Sequence, residues 1–226
     1  QNRYDQMRKT IEYLNQMPVA QLMVEDIEAD DVIAYICQMP SLKEDVKIIV
    51  SMDKDFYQLC DDKTMIYSPV KDEFLNKKRI IEKFSIHPNN FSLARAIDGD
   101  KSDNLEGIRG AGLKTVANKF SFLAEEKTYT LDDLFNYCRR DESGLKLYKN
   151  ILSEKNKVEL NYKLMQLYSP YISTQSSQHI KTTVETFEPS FNRTEVLKMM
   201  SVDGIHEFNW NSLFQKFRSI VDADRH

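Results

Sequence analysis

Four of the six glycines in this 226-residue chain fall between Gly99 and Gly112. They sit in Ala96-Ile97-Asp98-Gly99-Asp100-Lys101-Ser102-Asp103-Asn104-Leu105-Glu106-Gly107-Ile108-Arg109-Gly110-Ala111-Gly112-Leu113-Lys114-Thr115. The second half, a Gly-x-x-Gly-x-Gly turn between short helices, supplies positive φ and lets the backbone approach another group closely. Backbone N–H groups at a helix start suit a phosphate, and Lys114 and Thr115 lie in the first turn after it. The first half presents Asp100 and Asp103, three residues apart in a Gly/Ser/Asn-rich turn. Carboxylates without a fixed partner suit a hard cation such as Mg²⁺. A metal site beside a phosphate cradle points to phosphodiester chemistry. The plain alternative for the glycines is a helix C-cap followed by a tight turn.

Upstream of this stretch the chain reads as alternating helices and strands. Arg3 to Met17 has an amphipathic pattern, with Met7, Ile11 and Leu14 on one stripe, and Pro18 closes it. Val19 to Val24 is an apolar run with the look of a buried strand. A helix is expected from near Glu28 to before Pro40. Val46 to Ser51 is the strongest strand, β-branched and apolar, and it runs directly into Met52-Asp53-Lys54-Asp55, a helix start. Thr64 to Tyr67 is a further strand, Lys71 to Leu75 a hairpin-like return, and Lys77 to Phe84 and Asn89 to Ile97 are short helices. This order argues an α/β fold with a mostly parallel sheet and flanking helices. From Asn104 onward strand signals stop. Helices are expected over 116–122, 131–138, 145–152, 154–168, 194–200 and 211–221, with a linker from Ser169 to Ser177. The pattern divides the chain into 1–97, 98–170 and 171–226.

Three acidic clusters lie where a strand gives way to a helix or loop: Glu28/Asp30/Asp31, Asp53/Asp55 and Asp100/Asp103. In a parallel sheet these ends share one edge, where open α/β sheets bind ligands. Converging carboxylates repel unless a cation holds them, and two divalent ions about 4 Å apart serve in-line phosphoryl displacement. Each cluster also has a plain structural use. Glu28, Asp30 and Asp31 complement a helix macrodipole, Asp53 caps a helix, and Asp103 forms a turn. The four histidines, His87, His179, His206 and His226, lack metal spacing. Lys77-Lys78-Arg79 reads as a solvated face, and Phe208 and Trp210 as packing residues. A formal net charge of −4 does not advertise a nucleic-acid binder, though clustered carboxylates can mask a local basic face. Cys37, Cys60 and Cys138 show no disulfide or metal pattern, which points to a reducing compartment. With no signal-peptide core and no long apolar run, the chain reads as soluble and cytoplasmic, with no membrane partner.

With these residues in place, the chain resembles the structure-specific 5′-nucleases: bacteriophage 5′-exonucleases, flap endonucleases and the 5′-nuclease domain of bacterial DNA polymerase I. Glu28-Ala29-Asp30-Asp31 is similar to one family motif, and Ser51 to Leu59 to a second. Gly99 to Asn104 followed by Gly107 to Gly112 is similar to a third. Asn161 to Leu167 and Phe208 to Phe217 are similar to later segments, more loosely. The resemblance implies a PIN-like nuclease core over 1–97, a helix–three-turn–helix (helix–hairpin–helix) region over 98–170, and a C-terminal helical extension. It implies two Mg²⁺ ions, or Mn²⁺ in their place, with Glu28, Asp30 and Asp31 serving the first and Asp53, Asp55, Asp100 and Asp103 the second. It further implies K⁺ at the hairpin and DNA contacts from Gly107, Arg109, Gly110, Gly112, Lys114 and Thr115. The implied substrate is DNA with a 5′ flap, nick or RNA primer, cut by a monomer working beside replication proteins. Two further family aspartates would precede Gln1, so only part of the first metal site is expected here. The competing readings are a non-catalytic helix–hairpin–helix DNA-binding module and a PIN-like ribonuclease.

Overall fold

The computed structural model describes residues 2–205 and 209–223. In chain order its regular elements are α1 (Asn2–Leu14), α2 (Ala29–Cys37), β1 (Lys47–Val50), β2 (Thr64–Ser68), β3 (Glu73–Leu75), α3 (Lys77–Phe84), α4 (Phe91–Asp98), β4 (Gly99–Asp100) and β5 (Leu105–Glu106). They continue as α5 (Leu113–Lys119), α6 (Leu131–Arg140), α7 (Lys146–Ser153), α8 (Lys155–Met165), α9 (Thr174–Glu185), α10 (Arg193–Asp203) and α11 (Trp210–Ala223). The chain forms two compact units: Ile27–Ser173, and the segment up to Asp26 together with that from Thr174 on.

The larger unit holds both sheets. β1 and β2 pair in parallel, with Lys47 opposite Thr64 and Val50 opposite Tyr67. β2 and β3 pair antiparallel, with Ile66 opposite Leu75. The main sheet is therefore small and mixed, with the order β1-β2-β3. Local chemistry sets the helix limits. The Asn76 side chain accepts the Arg79 N–H at 3.0 Å and starts α3, and Ser85 in the left-handed region ends it. Thr130 and Asp133 form a reciprocal capping box at the start of α6. The core is continuous from Ala34 to Leu167, so helices on both sides of residue 97 share it. α4 is buried along most of its length, which makes it the axis of the unit.

The run expected to pass straight from strand to helix is interrupted. Residues 51–54 form a loop, followed by a 3-10 helix over Asp55–Leu59. The strand signals do not stop at Asn104 either. β4 and β5 pair antiparallel, with Gly99 opposite Glu106 and Asp100 opposite Leu105. Two residues per strand carry no periodicity, so this hairpin leaves no pattern to read. Gly99 and Gly107 make it possible. A Cβ on Gly99, at φ +78°, would lie 2.3 Å from the Gly107 nitrogen, and one on Gly107 would lie 1.8 Å from the Asp98 carbonyl oxygen.

In the smaller unit the stripe expected on the first helix does not pack. Met7 and Ile11 are exposed, while Tyr13 and Met17 join Phe191, Trp210 and Phe217 around Val196, Met200 and Phe214. Val19 to Val24 is not a strand. Among the described residues this unit offers no neighbouring strand to pair with, and Met23 is exposed. The linker expected over 169–177 is shorter, because α9 begins at Thr174. Phe208, His206 and His226 lie outside the described residues.

Candidate metal centre and phosphate-facing hairpin

Asp55, Asp100 and Asp103 come together although 48 residues separate the first from the last. Each offers one carboxylate oxygen, and the three oxygens lie within 4.8 Å of one another. Asp55 is the first residue of the 3-10 helix after β1, Asp100 ends β4, and Asp103 lies in the β4–β5 turn. Burial falls across the three, from buried Asp55 through half-buried Asp100 to exposed Asp103. The trio thus opens from the core toward solvent. It borders a cavity of about 590 Å³ lined by Asp53, Lys54, Arg95, Asp98, Asp100 and Ser102, among others.

Arg95 of α4 was not foreseen as part of this site. It is 3% exposed, and its guanidinium is fully engaged with the acidic end of the fold. Nε donates to Asp55 Oδ1 at 2.7 Å, Nη2 donates to Asp100 Oδ2, and Nη1 donates to the Gly99 carbonyl at 2.9 Å and to Asp98 Oδ2 at 3.3 Å. Burial pushes the Asp55 carboxyl up to about 6, against the opposing pull of Arg95; Asp53 and Asp100 add to the rise. Asp100 goes the other way. Burial would raise it, but hydrogen bonds from the Ser102 side chain and backbone, with Arg95, hold it below the usual carboxylate value. The sequence did carry a signal for Arg95: it is a lone cation in the otherwise uncharged run Phe91-Ser92-Leu93-Ala94-Arg95-Ala96-Ile97. A charge on a buried helix face needs a partner.

Asp53 stands one step outside the trio. It is exposed, and its Oδ1 accepts the Asp55 N–H at 2.8 Å. The N-cap residue of the 3-10 helix is Lys54, not Asp53 as the sequence reading allowed, but the Asp53 bond still aims the Asp55 segment. Glu28 is the N-cap residue of α2 without a side-chain capping bond, and Asp30 Oδ1 accepts the Asp31 N–H at 3.1 Å. Burial first, then Asp30 and Glu28, raise the Asp31 carboxyl. Among the described residues no second trio of acids, histidines or cysteines gathers as closely as the first.

Two amides brace the trio from behind, and neither was read as a site residue. Asn161 on α8 is buried and donates to the carbonyls of Ala96 at 3.1 Å and Glu106 at 2.9 Å. Gln58 donates to the carbonyls of Asp55 at 2.7 Å and Met165 at 2.9 Å, and accepts the Leu167 N–H at 2.7 Å. The segments carrying Asp55 and Asp100 are therefore both tied to α8, one at its carboxyl end and the other at its middle.

The glycine turn follows directly. Gly107 is claimed by packing against Asp98. Gly110, at φ +83°, has nothing within 4 Å of a built Cβ, and Gly112, the N-cap residue of α5, meets only the Asp98 side chain at 3.9 Å. Arg109, Lys114 and Lys119 are exposed and make no ion pair with a described residue, and Thr115 is half-buried. Lys77, by contrast, is spent on Asp62 at 2.6 Å. His87 is buried, with Nδ1 accepting the Asn89 N–H, and His179 is exposed.

The chain is similar to known proteins in sequence and in fold. Residues 2–85 match the family described as 5′-3′ exonuclease, N-terminal resolvase-like domain. A 5′-3′ exonuclease of Aquifex aeolicus is 31% identical over 175 residues, which cover 77% of this chain and 57% of that protein. Flap endonuclease Xni of Shewanella sp. (strain MR-4) is 30% identical over 157 residues, 69% of this chain and 57% of that one. The chain thus spans a little over half the length of these curated relatives. Among solved structures, a bacteriophage T5 flap endonuclease in complex with DNA and metal ions aligns with a TM-score of 0.63 at 19% identity, covering 88% of this chain and 66% of that one. At that identity the likeness is one of fold, and the fold is the PIN-like α/β arrangement. No helix among the described residues is long and apolar enough to cross a membrane.

Proposed function

Because the chain is a relative of the structure-specific 5′-nucleases, we propose that it takes part in metal-dependent hydrolysis of phosphodiesters at the 5′ ends and flaps of DNA or of RNA primers. The observation that carries this reading is the trio of Asp55, Asp100 and Asp103 with oxygens within 4.8 Å. An all-carboxylate donor set is hard, which fits Mg²⁺ or Mn²⁺ and not a soft ion. The buried guanidinium against two of the three already balances part of their charge, so a dication bound there shares these carboxylates with Arg95.

In this reading Asp55, Asp100 and Asp103 hold one ion, with exposed Asp53 at its edge, and Glu28, Asp30 and Asp31 serve a second. Such ions supply positive charge to the attacking and leaving oxygens of an in-line displacement. The chain's own part is to fix the phosphate. The open backbone at Gly110 and Gly112 admits a sugar-phosphate strand, and Arg109, Lys114 and Thr115 flank it with cations and a hydroxyl. A K⁺ ion held by the hairpin carbonyls belongs to the same proposal. Such a grip reads backbone and not sequence. The gathered trio favours this function over a non-catalytic helix–hairpin–helix module, which has no use for converging carboxylates.

The test uses the native-length protein and a labelled 5′-flap duplex. Cleavage is expected with Mg²⁺ and none with EDTA. Asp100→Asn keeps the side-chain shape and removes a charge, so cleavage should fall by orders of magnitude, while duplex binding in Ca²⁺ changes little. Equal cleavage by parent and variant would make Asp100 a turn residue only.

A further inference from the structure

Arg95 does something that a structural ion pair need not do. Its guanidinium lies against two of the three carboxylates that the proposed function assigns to a divalent ion. We propose that Arg95 is a resident counter-ion: it holds the site together without metal, and it keeps the site's affinity for divalent ions low by competing for the same negative charge. This rests on the metal reading of the trio and goes beyond it, since it concerns how tightly the site binds.

Two opposing effects decide the sign. Removing the guanidinium frees Asp55 and Asp100 and takes a positive charge away from an incoming dication, which tightens binding. It also removes a brace, which loosens binding if the carboxylates then wander. The brace is redundant for the Asp100 side chain and for the Asp55 backbone. Asp100 Oδ1 accepts from both the Ser102 N–H, at 2.7 Å, and the Ser102 hydroxyl. Asp55 sits in a buried 3-10 turn with its N–H on Asp53 and its carbonyl on Gln58. Asp100 and the backbone that aims Asp55 therefore keep their places without Arg95, and the charge effect is expected to win. Fold stability goes the other way, because buried Asp55 loses its charge partner, half-buried Asp100 loses one of its donors and the Gly99 carbonyl loses its donor.

Arg95→Met removes the charge and keeps the buried stem. Mn²⁺ titration, followed by the free-ion resonance signal, is expected to show binding about tenfold tighter than in the parent. The melting temperature in EDTA should fall, and the rise on adding Mn²⁺ should exceed the parent's. A purely structural ion pair predicts the lower melting temperature with Mn²⁺ affinity unchanged or weaker, and that result overturns the proposal. If Arg95→Met does not fold, Arg95→Lys decides. Lysine cannot span both carboxylates as the guanidinium fork does, so Mn²⁺ should bind about threefold tighter, and equal affinity refutes the idea. A parent that binds no Mn²⁺ brings down the metal reading and this inference with it. A parent that binds while Arg95→Met binds no tighter brings down the inference alone.

Discussion

Alanine at Gly107 should be far more damaging than alanine at Gly110 or Gly112, although all three look alike in the sequence. A Cβ at Gly107 would lie 1.8 Å from the Asp98 carbonyl oxygen, 2.4 Å from its carbon and 2.9 Å from the Ile97 oxygen. All three are backbone atoms at the end of buried α4, so no side chain can swing away. The β4–β5 hairpin must retreat by more than an ångström, carrying Asp100 and Asp103 with it. Overpacking against a rigid core costs about 3 kcal/mol or more in such a case. At Gly110 space is open and only the φ of +83° resists, so alanine there costs about 1–2 kcal/mol. At Gly112 the conformation is ordinary and the nearest atom lies 3.9 Å away, so alanine changes stability by roughly 0.5 kcal/mol or less. The assay must watch the right unit. The one tryptophan, Trp210, belongs to the smaller unit, so its fluorescence would miss the event. Hydrogen exchange of peptides spanning residues 91–124, read against urea, follows the larger unit directly. Equal protection in the Gly107 and Gly112 variants would refute the packing argument and return Gly107 to a role in phosphate contact alone.

Three further outcomes follow from the structure. Asn161→Ala leaves the Ala96 and Glu106 carbonyls without their donor, which should cost about 1–3 kcal/mol in thermal unfolding and lower divalent-ion affinity by loosening Asp100. Lys114→Ala should weaken binding to all duplexes alike and reduce the salt slope by about one; a loss confined to one sequence would contradict a backbone grip. Burial, opposed by Glu126 and aided by Lys77, lowers the His87 pKa below its ordinary 6.5. The folded chain thus resists a proton that the unfolded chain accepts, so the contribution is intact above 6.5 and lost as pH falls through that value. Between about pH 7 and pH 5, His87→Gln should lose stability less steeply than the parent.

Much of the larger unit could be read from one dimension. β1 and β2 announce themselves by β-branched runs, α3 by its basic outer face, and Asp55, Asp100 and Asp103 by their placement at element ends. What escaped reading has physical causes. A two-residue pairing such as β4–β5 has no period to detect. The apolar run at 19–24 has strand composition but no partner, and a strand without a neighbour is not a strand. Gln58 and Asn161 look like ordinary polar residues until the fold shows which carbonyls they meet, and Arg95 stands out as a lone cation without revealing its partners. The packing face of α1 was misjudged because Tyr13 and Met17 answer to helices more than 170 residues away.

Gln58 and Asn161 give α8 the position of a lever with two loads. One bond set, at its carboxyl end, carries the loop that bears Asp55, and the other, from its middle, carries the hairpin that bears Asp100. A shift of this helix would reach both carboxylate-bearing segments through these bonds. A shortened chain that stops before residue 155 would keep every acidic residue of the trio and still lose the alignment between them. Efforts to detune or to stabilise this site can therefore begin on the solvent side of α8, at Leu160 and Leu164, both exposed.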